Sequence, residues 1–168
     1  MKFKFSTNTV NSGDLVCDTD TLIRLHKHLE SKCDVIYGET LLVDFDYKEL
    51  GKRSVLSKKP LPEELNFKSF SYGMSVGHQS IIAKTSMAPQ YNLKWNHVAD
   101  IDWVLNLLKN NPITCKTEFA ISRFAVDGHS SQNRKSANKE RYVVLQKHYG
   151  FFKNLVNHTV ITLRAFFK

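Results

Sequence analysis

Residues 98–109 (VADIDWVLNLLK) constrain the fold more than any other segment, because apolar residues surround most of the helix that their spacing predicts. Seven residues form this wide apolar stripe: Val98, Ile101, Trp103, Val104, Leu105, Leu107 and Leu108. A helix with so much apolar surface is stable only where other elements cover it. We therefore expect it to be well buried.

The segments around this helix have the composition of strands. Residues 34–45 are rich in β-branched and aromatic residues, residues 115–126 alternate polar and apolar residues, and residues 80–84 include a short apolar run. Further helices are predicted at 19–31 and 137–149. The first of these should direct three residues inward: Leu22, Leu25 and Leu29. The predicted fold class is α/β, a mixed sheet with flanking helices.

Three further segments complete the predicted organisation. Residues 48–62 are basic and polar and contain two prolines, so they are predicted to form a flexible loop. Residues 62–70 are a candidate short helix. Residues 151–168 repeat apolar residues at helical spacing and are predicted to form a C-terminal amphipathic helix beyond a main domain of residues 1–150.

The charge of the chain predicts an anionic partner. The formal net charge is +8 and the pI is near 9.4, which suits nucleic acid, an acidic lipid headgroup or a diphosphate. Charge alone does not choose among these three. The apolar content, 42% with eleven Phe, is enough for a globular core and excludes a wholly disordered chain.

The cysteines are three in number and widely spaced: Cys17, Cys33 and Cys115. The odd count and the lack of a CxxC pair argue against a disulfide framework and against a zinc site, and they favour a reducing cytosolic setting. The N-terminal residues lack the apolar run of a signal peptide, and no later stretch offers the ~20 apolar residues of a membrane span.

Four short motifs occur along the chain in a recognisable order. They are NSGD at 11–14, DVIYGE at 34–39, GHQS at 77–80 and ADIDW at 99–103. Together they resemble the second half of the catalytic domain in family-two inverting glycosyltransferases of the GT-A fold, especially bacterial enzymes that build polysaccharides. The resemblance extends from Val10 to Tyr149 and lies more in the order of the motifs than in any one of them.

The resemblance implies a divalent metal, Mn²⁺ or Mg²⁺, held by Asp14 at the end of the first motif. In the family this carboxylate holds the metal against the donor diphosphate, whose negative charge grows as the nucleotide leaves. Asn11 and Gly13 stand where other members have carboxylates, so this site offers fewer charges. The alternative for the same residues is a turn before a helix, since all four residue types are common in turns.

The resemblance also makes Asp100 the general base that removes the proton of the acceptor hydroxyl during inverting transfer. A carboxylate at the start of a rigid helix suits that task because its position is fixed. Asp102 is two residues further along the helix and is expected to be a neighbour that contacts substrate. Both acids could instead reflect the favourable interaction of carboxylates with a helix N-terminus.

Four more residues are expected to line the donor sugar and the acceptor. His78 and Gln79 belong to the third motif, and His129 and Ser130, after Gly128, resemble an acceptor loop of the form GGxS in which His129 replaces a glycine. A structural hydrogen bond is the alternative role for His78. The QxxRW motif of processive synthases is absent from the sequence, which favours single additions over polymerisation.

The resemblance as a whole implies sugar transfer from a nucleotide-sugar donor to a saccharide or lipid-linked acceptor in cell-surface polysaccharide synthesis. The nucleotide-binding strands that precede the metal loop in the family have no counterpart here, so a truncated form or a second chain that supplies them is expected. The implied location is the cytoplasm, and the tail, residues 151–168, is either packed against protein or in contact with the inner face of the membrane.

Two other interpretations stay open. The chain could be an inactive remnant or interaction module of the same fold, because such a protein would share every motif. It could also bind nucleic acid through the basic residues of one loop: Lys52, Arg53, Lys58 and Lys59. The second is disfavoured because the aromatic residues are not interleaved with basic ones, as they are in stacking platforms.

Overall fold

The computed structural model describes residues 5–6, 15–29, 32–126 and 134–166. Its elements follow one another as β1 (Phe5–Ser6), β2 (Leu15–Val16), α1 (Thr21–Leu29), β3 (Val35–Val43), β4 (Glu49–Lys52), α2 (Arg53–Leu56), β5 (Ile81–Lys84), α3 (Ala99–Leu108), β6 (Thr114–Ala125), α4 (Arg134–Tyr149) and α5 (Phe151–Phe166). The strands form a mixed sheet with helices beside it, so the predicted α/β class is confirmed.

β3 is the central strand of the sheet. The strand order is β1-β5-β3-β6-β2, and β4 also pairs with β3. β3 runs parallel to β6 and antiparallel to β4 and β5. Its first residues, Val35, Ile36 and Tyr37, are completely buried, as expected for a strand that is covered on both faces.

Along one edge, β3 changes its partner midway. Residues 35–37 pair with β5 and residues 41–43 pair with β4. Between these two ladders, a short 3-10 turn, His78–Ser80, approaches β3, and the Ser80 hydroxyl donates to the Glu39 carbonyl oxygen at 2.9 Å. A side-chain hydroxyl thus satisfies a buried backbone acceptor where strand pairing is interrupted.

The predicted burial of the 98–109 segment is confirmed. α3 covers one face of the sheet and shares a core with Val35 and Tyr37, while Trp103, Val104 and Leu105 are each at most 2% exposed. Trp103 also donates its indole N–H to the Pro89 carbonyl oxygen at 2.8 Å. The packing of α3 on the sheet fixes the position of its N-terminus, where Asp100 lies.

The predicted inward face of α1 is wrong in part. Leu25 is buried against Ile36 and Ile82 on the second face of the sheet, but Leu22 is 59% exposed. The side chain of Leu29 lies outside the described residues. The core on this face is small, and Leu25 together with Thr21 provides the buried side of the helix in its place.

The flexible loop predicted at 48–62 is also wrong, because much of this segment is ordered as β4 and α2. Two contacts to distant residues hold it in place. The Arg53 guanidinium donates to the carbonyl oxygens of Met74 and Ser75 at 3.0 and 3.1 Å, and the Ser54 hydroxyl donates to the Glu39 carboxylate. Local composition contains no signal for these partners.

The short helix predicted at 62–70 is reduced to one 3-10 turn, Phe67–Phe70. Asn66 caps it by accepting from the Lys68 backbone N–H at 3.0 Å, and the Ser69 hydroxyl accepts from the Asn66 backbone N–H. This reciprocal cap begins the turn four residues later than Pro62 suggested.

The interpretation that the cysteines form no disulfide is wrong. Cys33 and Cys115 form one, with their Cα atoms 5.8 Å apart. They come together because β3 and β6 are parallel neighbours whose register begins with Val35 opposite Thr114. Cys17 is buried and unbridged. The two cysteines are 82 residues apart, so their pairing could not be predicted from local sequence patterns.

None of the helices in the described ranges has the length and apolar character needed to cross a membrane.

We expect reduction of the Cys33–Cys115 disulfide to lower the free energy of unfolding by about 2–4 kcal/mol, because the cross-link closes a long loop in the unfolded chain. Urea denaturation with and without a reducing agent measures this difference. The double variant Cys33→Ser/Cys115→Ser is the control, and its stability should not respond to the reductant. Free thiols at both positions in the oxidised protein would contradict the disulfide.

Candidate functional site

The 77–80 turn (Gly77, His78, Gln79 and Ser80) is anchored to the sheet by buried hydroxyl groups. The Ser80 hydroxyl lies 2.7 Å from both Thr40 Oγ1 on β3 and Ser122 Oγ on β6. All three residues are at most 3% exposed. Hydroxyl groups that bond to one another satisfy their own polarity inside the core and hold the turn at one position.

Gly77 allows the turn to approach β3 this closely. A Cβ atom built at Gly77 would lie 2.5 Å from Thr40 Oγ1, which is closer than packed atoms come. The residue that follows, His78, is thereby placed at a fixed height above the sheet.

Asp100 and His78 are brought together by this arrangement. His78 Nδ1 lies 3.1 Å from Asp100 Oδ2, and the two side chains are 14% and 25% exposed. The other oxygen, Asp100 Oδ1, accepts the Ile101 backbone N–H at 2.9 Å. Each carboxylate oxygen has a second lone pair, so Asp100 can accept a further hydrogen bond from a donor on the solvent side. Gln79, in the same turn, is 7% exposed.

Tyr91 is a neighbour that sequence reasoning missed. Its ring stacks on Trp103 with centroids 5.9 Å apart. Burial raises the pKa of Tyr91 to about 12, and the negative charge of Asp100 contributes to the same shift. The phenol therefore stays protonated near the carboxylate at neutral pH. No periodic pattern indicated it, because it lies in an irregular segment between β5 and α3.

Asp102 lies in a different environment from Asp100, although both are on α3. It is 1% exposed and receives hydrogen bonds from Lys147 Nζ at 3.0 Å and from Trp95 Nε1 at 3.2 Å, while His148 Nε2 lies 2.6 Å away. These contacts connect α3 to α4. The expected contact of Asp102 with substrate stays a prediction. In the structure its carboxylate contacts side chains of the protein: Trp95, Lys147 and His148.

The charges around Asp102 follow from these contacts. Burial alone would raise the pKa of Asp102, but the hydrogen bonds from His148 and Lys147 outweigh burial and hold that pKa below its ordinary value. Burial lowers the pKa of His148 even though Asp102 favours its charged form. At neutral pH, Lys147 thus supplies the positive charge and His148 is neutral.

Glu39 and Arg53 support the turn from the other side. The Glu39 carboxylate accepts the Thr40 backbone N–H at 2.9 Å as well as the Ser54 hydroxyl. Burial lowers the pKa of Arg53, and the charge of Glu39 opposes this shift. Because Arg53 bonds to Met74 and Ser75, it fixes the chain that leads into Gly77. One of the four basic residues considered for nucleic acid therefore has a structural role.

Three predicted site residues, Asp14, His129 and Ser130, lie outside the described residues, so their roles stay predictions. Within the ranges that the structure describes, no group of three or more His, Cys, Asp or Glu is placed to hold a metal ion. The expected Mn²⁺ or Mg²⁺ and its ligand Asp14 therefore stay predictions.

Comparison with known proteins adds no assignment. No protein-family model matches the sequence, and no curated protein matches it.

We expect Asp102→Asn to lower the free energy of unfolding at neutral pH by about 1–3 kcal/mol, because it removes the charge that His148 and Lys147 are arranged to meet. Urea denaturation measures the loss. Asp46→Asn makes the same chemical change at an exposed turn residue and should leave the stability unchanged.

The pH dependence of stability is a second readout of the Asp102 cluster. The folded pKa of Asp102 is below its ordinary value of 3.8, so its stabilisation is present above that pH and is lost as the pH falls through the folded pKa. The lowered pKa of His148 acts in the same direction below 6.5. The decline of stability in acid should be shallower in Asp102→Asn, and identical profiles would contradict this role.

Proposed function

We propose that this chain carries the general base of an inverting glycosyltransferase that uses a nucleotide-sugar donor. One observation above all supports the proposal: Asp100, at the start of a buried helix, keeps a solvent-accessible carboxylate and is held by His78 at 3.1 Å. Two residues that the resemblance assigns to one site, and that lie on different elements, are in contact.

In the proposed reaction the acceptor hydroxyl donates a hydrogen bond to Asp100. As its oxygen attacks the anomeric carbon, the proton passes to the carboxylate, and the bond from that carbon to the diphosphate breaks on the opposite face. The leaving group departs with the bonding electron pair, and the configuration of the sugar is inverted. General base catalysis of this kind contributes about 10²–10⁴ to the rate.

His78 is a positioning residue in this proposal. With its proton on Nδ1, it donates to Asp100 Oδ2, and the Ile101 N–H holds the other oxygen. These two bonds fix the rotation of the carboxylate, so a lone pair of the base keeps a constant direction. Tyr91, whose phenol stays protonated at neutral pH because burial raises its pKa to about 12, is a candidate donor to the acceptor sugar.

Other parts of the site come from the resemblance. A divalent metal, Mn²⁺ or Mg²⁺, held by Asp14 would neutralise the charge of the leaving diphosphate. Gln79, His129 and Ser130 are proposed to line the sugars, whereas Asp102, which is 1% exposed and bonded to Lys147, is proposed to support the site by holding α3 to α4. The acceptor is proposed to be a saccharide or a lipid-linked sugar, and a second chain would bind the nucleotide. The resemblance alone supports the cytoplasm as the location, because the Cys33–Cys115 disulfide removes the support that the cysteines gave to a reducing setting.

Asp100→Asn should reduce release of the nucleoside diphosphate from UDP-glucose or GDP-mannose by about 100-fold or more, because the variant cannot accept the proton. Binding of the same donors with Mn²⁺, measured by calorimetry, should remain nearly equal, as expected for a loss confined to the transition state. Asp46→Asn is the matched control.

The same measurements distinguish the alternatives. Equal turnover by Asp100→Asn and the unaltered chain would remove Asp100 as the base. If the unaltered chain neither binds donor nor turns it over, alone or together with a protein that supplies the nucleotide-binding strands, the enzyme is rejected and the inactive interaction module is favoured.

His78 is tested by substitutions that keep or remove its donor. His78→Phe should lower kcat by about 10-fold with little change in KM, because a hydrogen bond to a charged group is lost at the base. His78→Asn can place an N–H close to the position of Nδ1 and should recover most of the rate. Equal losses in both variants, or a loss confined to KM, would argue against positioning through Asp100.

A further inference from the structure

α5 packs on α4 through polar side chains. Asn154 and Asn157 are 0% and 3% exposed. Asn154 Nδ2 donates to the Tyr142 carbonyl oxygen at 3.1 Å, and the His158 ring lies 4.7 Å from the Tyr142 ring. The inward side of this helix therefore provides little of the apolar burial that normally attaches an amphipathic helix to a domain.

Several buried polar atoms on this side make no hydrogen bond to the described residues: Arg141 Nε, Asn154 Oδ1, Asn157 Nδ2 and His158 Nε2. Such atoms reduce the stability of an interface. The contact with α4 therefore does not bury the apolar side of α5.

The apolar residues of α5 are on its exposed side. We define the α5 outer face as five residues with exposures of 52, 82, 49, 62 and 52%: Phe151, Phe152, Leu155, Val156 and Leu163. At about 100° per residue they share one side of the helix with Thr159 and Thr162, and no charged residue falls among them. A contiguous apolar surface of this kind marks an interaction site.

The charge around the outer face indicates the kind of partner. Residues 134–166 contain seven basic residues and one acidic residue, a formal charge of +6 out of the +8 of the whole chain. Lys153, at the border of the face, is exposed. A second copy of this chain would bring the same positive hairpin against it, and like charges would oppose that pairing.

We propose that the α5 outer face binds the surface of an anionic phospholipid bilayer, with the helix lying in the plane of the membrane. Phe and aliphatic side chains enter the boundary between headgroups and acyl chains. Lys153 at the border of the face, together with the net positive charge of the α4 and α5 hairpin, attracts the anionic headgroups. This proposal does not depend on the proposed glycosyl transfer.

Sedimentation with vesicles tests the proposal. The full chain should sediment with vesicles of phosphatidylcholine and phosphatidylglycerol, less with vesicles of phosphatidylcholine alone, and less at high salt, because both headgroup charge and apolar insertion contribute. The triple variant Phe152→Gln/Leu155→Gln/Val156→Gln should lower the partition coefficient by about tenfold or more. These side chains are exposed, so thermal unfolding should be unchanged.

The matched control makes the same change at exposed apolar residues elsewhere. Leu22→Gln/Val55→Gln/Leu93→Gln alters side chains that are 59, 68 and 88% exposed, and it should bind vesicles like the unaltered chain. Equal sedimentation of the two triple variants would overturn the proposal, as would failure of the unaltered chain to bind anionic vesicles. A dimer in light scattering that only the α5 variant abolishes, without vesicle binding, would assign the face to a second copy instead.

Discussion

The interruption of antiparallel pairing along β3 determines the arrangement of the candidate site. Along β3, pairing with β5 ends at Tyr37 and pairing with β4 starts at Leu41. The β3 backbone between these two residues therefore needs other hydrogen-bond partners. Ser80 supplies one to Glu39, and the Glu39 side chain in turn holds Ser54 at the start of α2. Had one strand continued along the whole edge, the turn that carries His78 would have no place beside the sheet.

Periodicity predicted the elements whose own pattern of apolar residues determines how they are buried. β3, α3 and β6 are such elements, because their apolar residues lie on two faces or around most of a helix. The sequence could not predict that much of residues 48–62 is ordered, since Arg53 is held by carbonyl groups more than twenty residues away. The Cys33–Cys115 disulfide and the stacking of Tyr91 on Trp103 are likewise products of strand register and tertiary packing.

The candidate site was likewise predictable from the sequence only in part. The resemblance placed Asp100 and His78 in one site, with Asp102 as a neighbour that contacts substrate. Residues two apart on a helix point in directions about 200° apart. Asp100 consequently faces the turn with a quarter of its side chain exposed, whereas Asp102 is enclosed between α3 and α4 with Lys147 and His148. Their environments suit one acid to proton transfer and the other to stability.

The distribution of charge separates the anionic partners that the net charge alone allowed. A platform for nucleic acid combines basic residues with exposed aromatic rings on which bases stack, and it usually offers them on a sheet or in a groove. Here most of the net charge, +6 of the +8, belongs to the α4 and α5 hairpin, which has few acidic residues. Three of the five exposed residues of the outer face are aliphatic. Aliphatic side chains give a base no π surface, whereas they enter a bilayer readily. The position of the charges therefore supports the proposal that the α5 outer face meets a lipid surface rather than nucleic acid, and it leaves the diphosphate of the proposed donor to the candidate site.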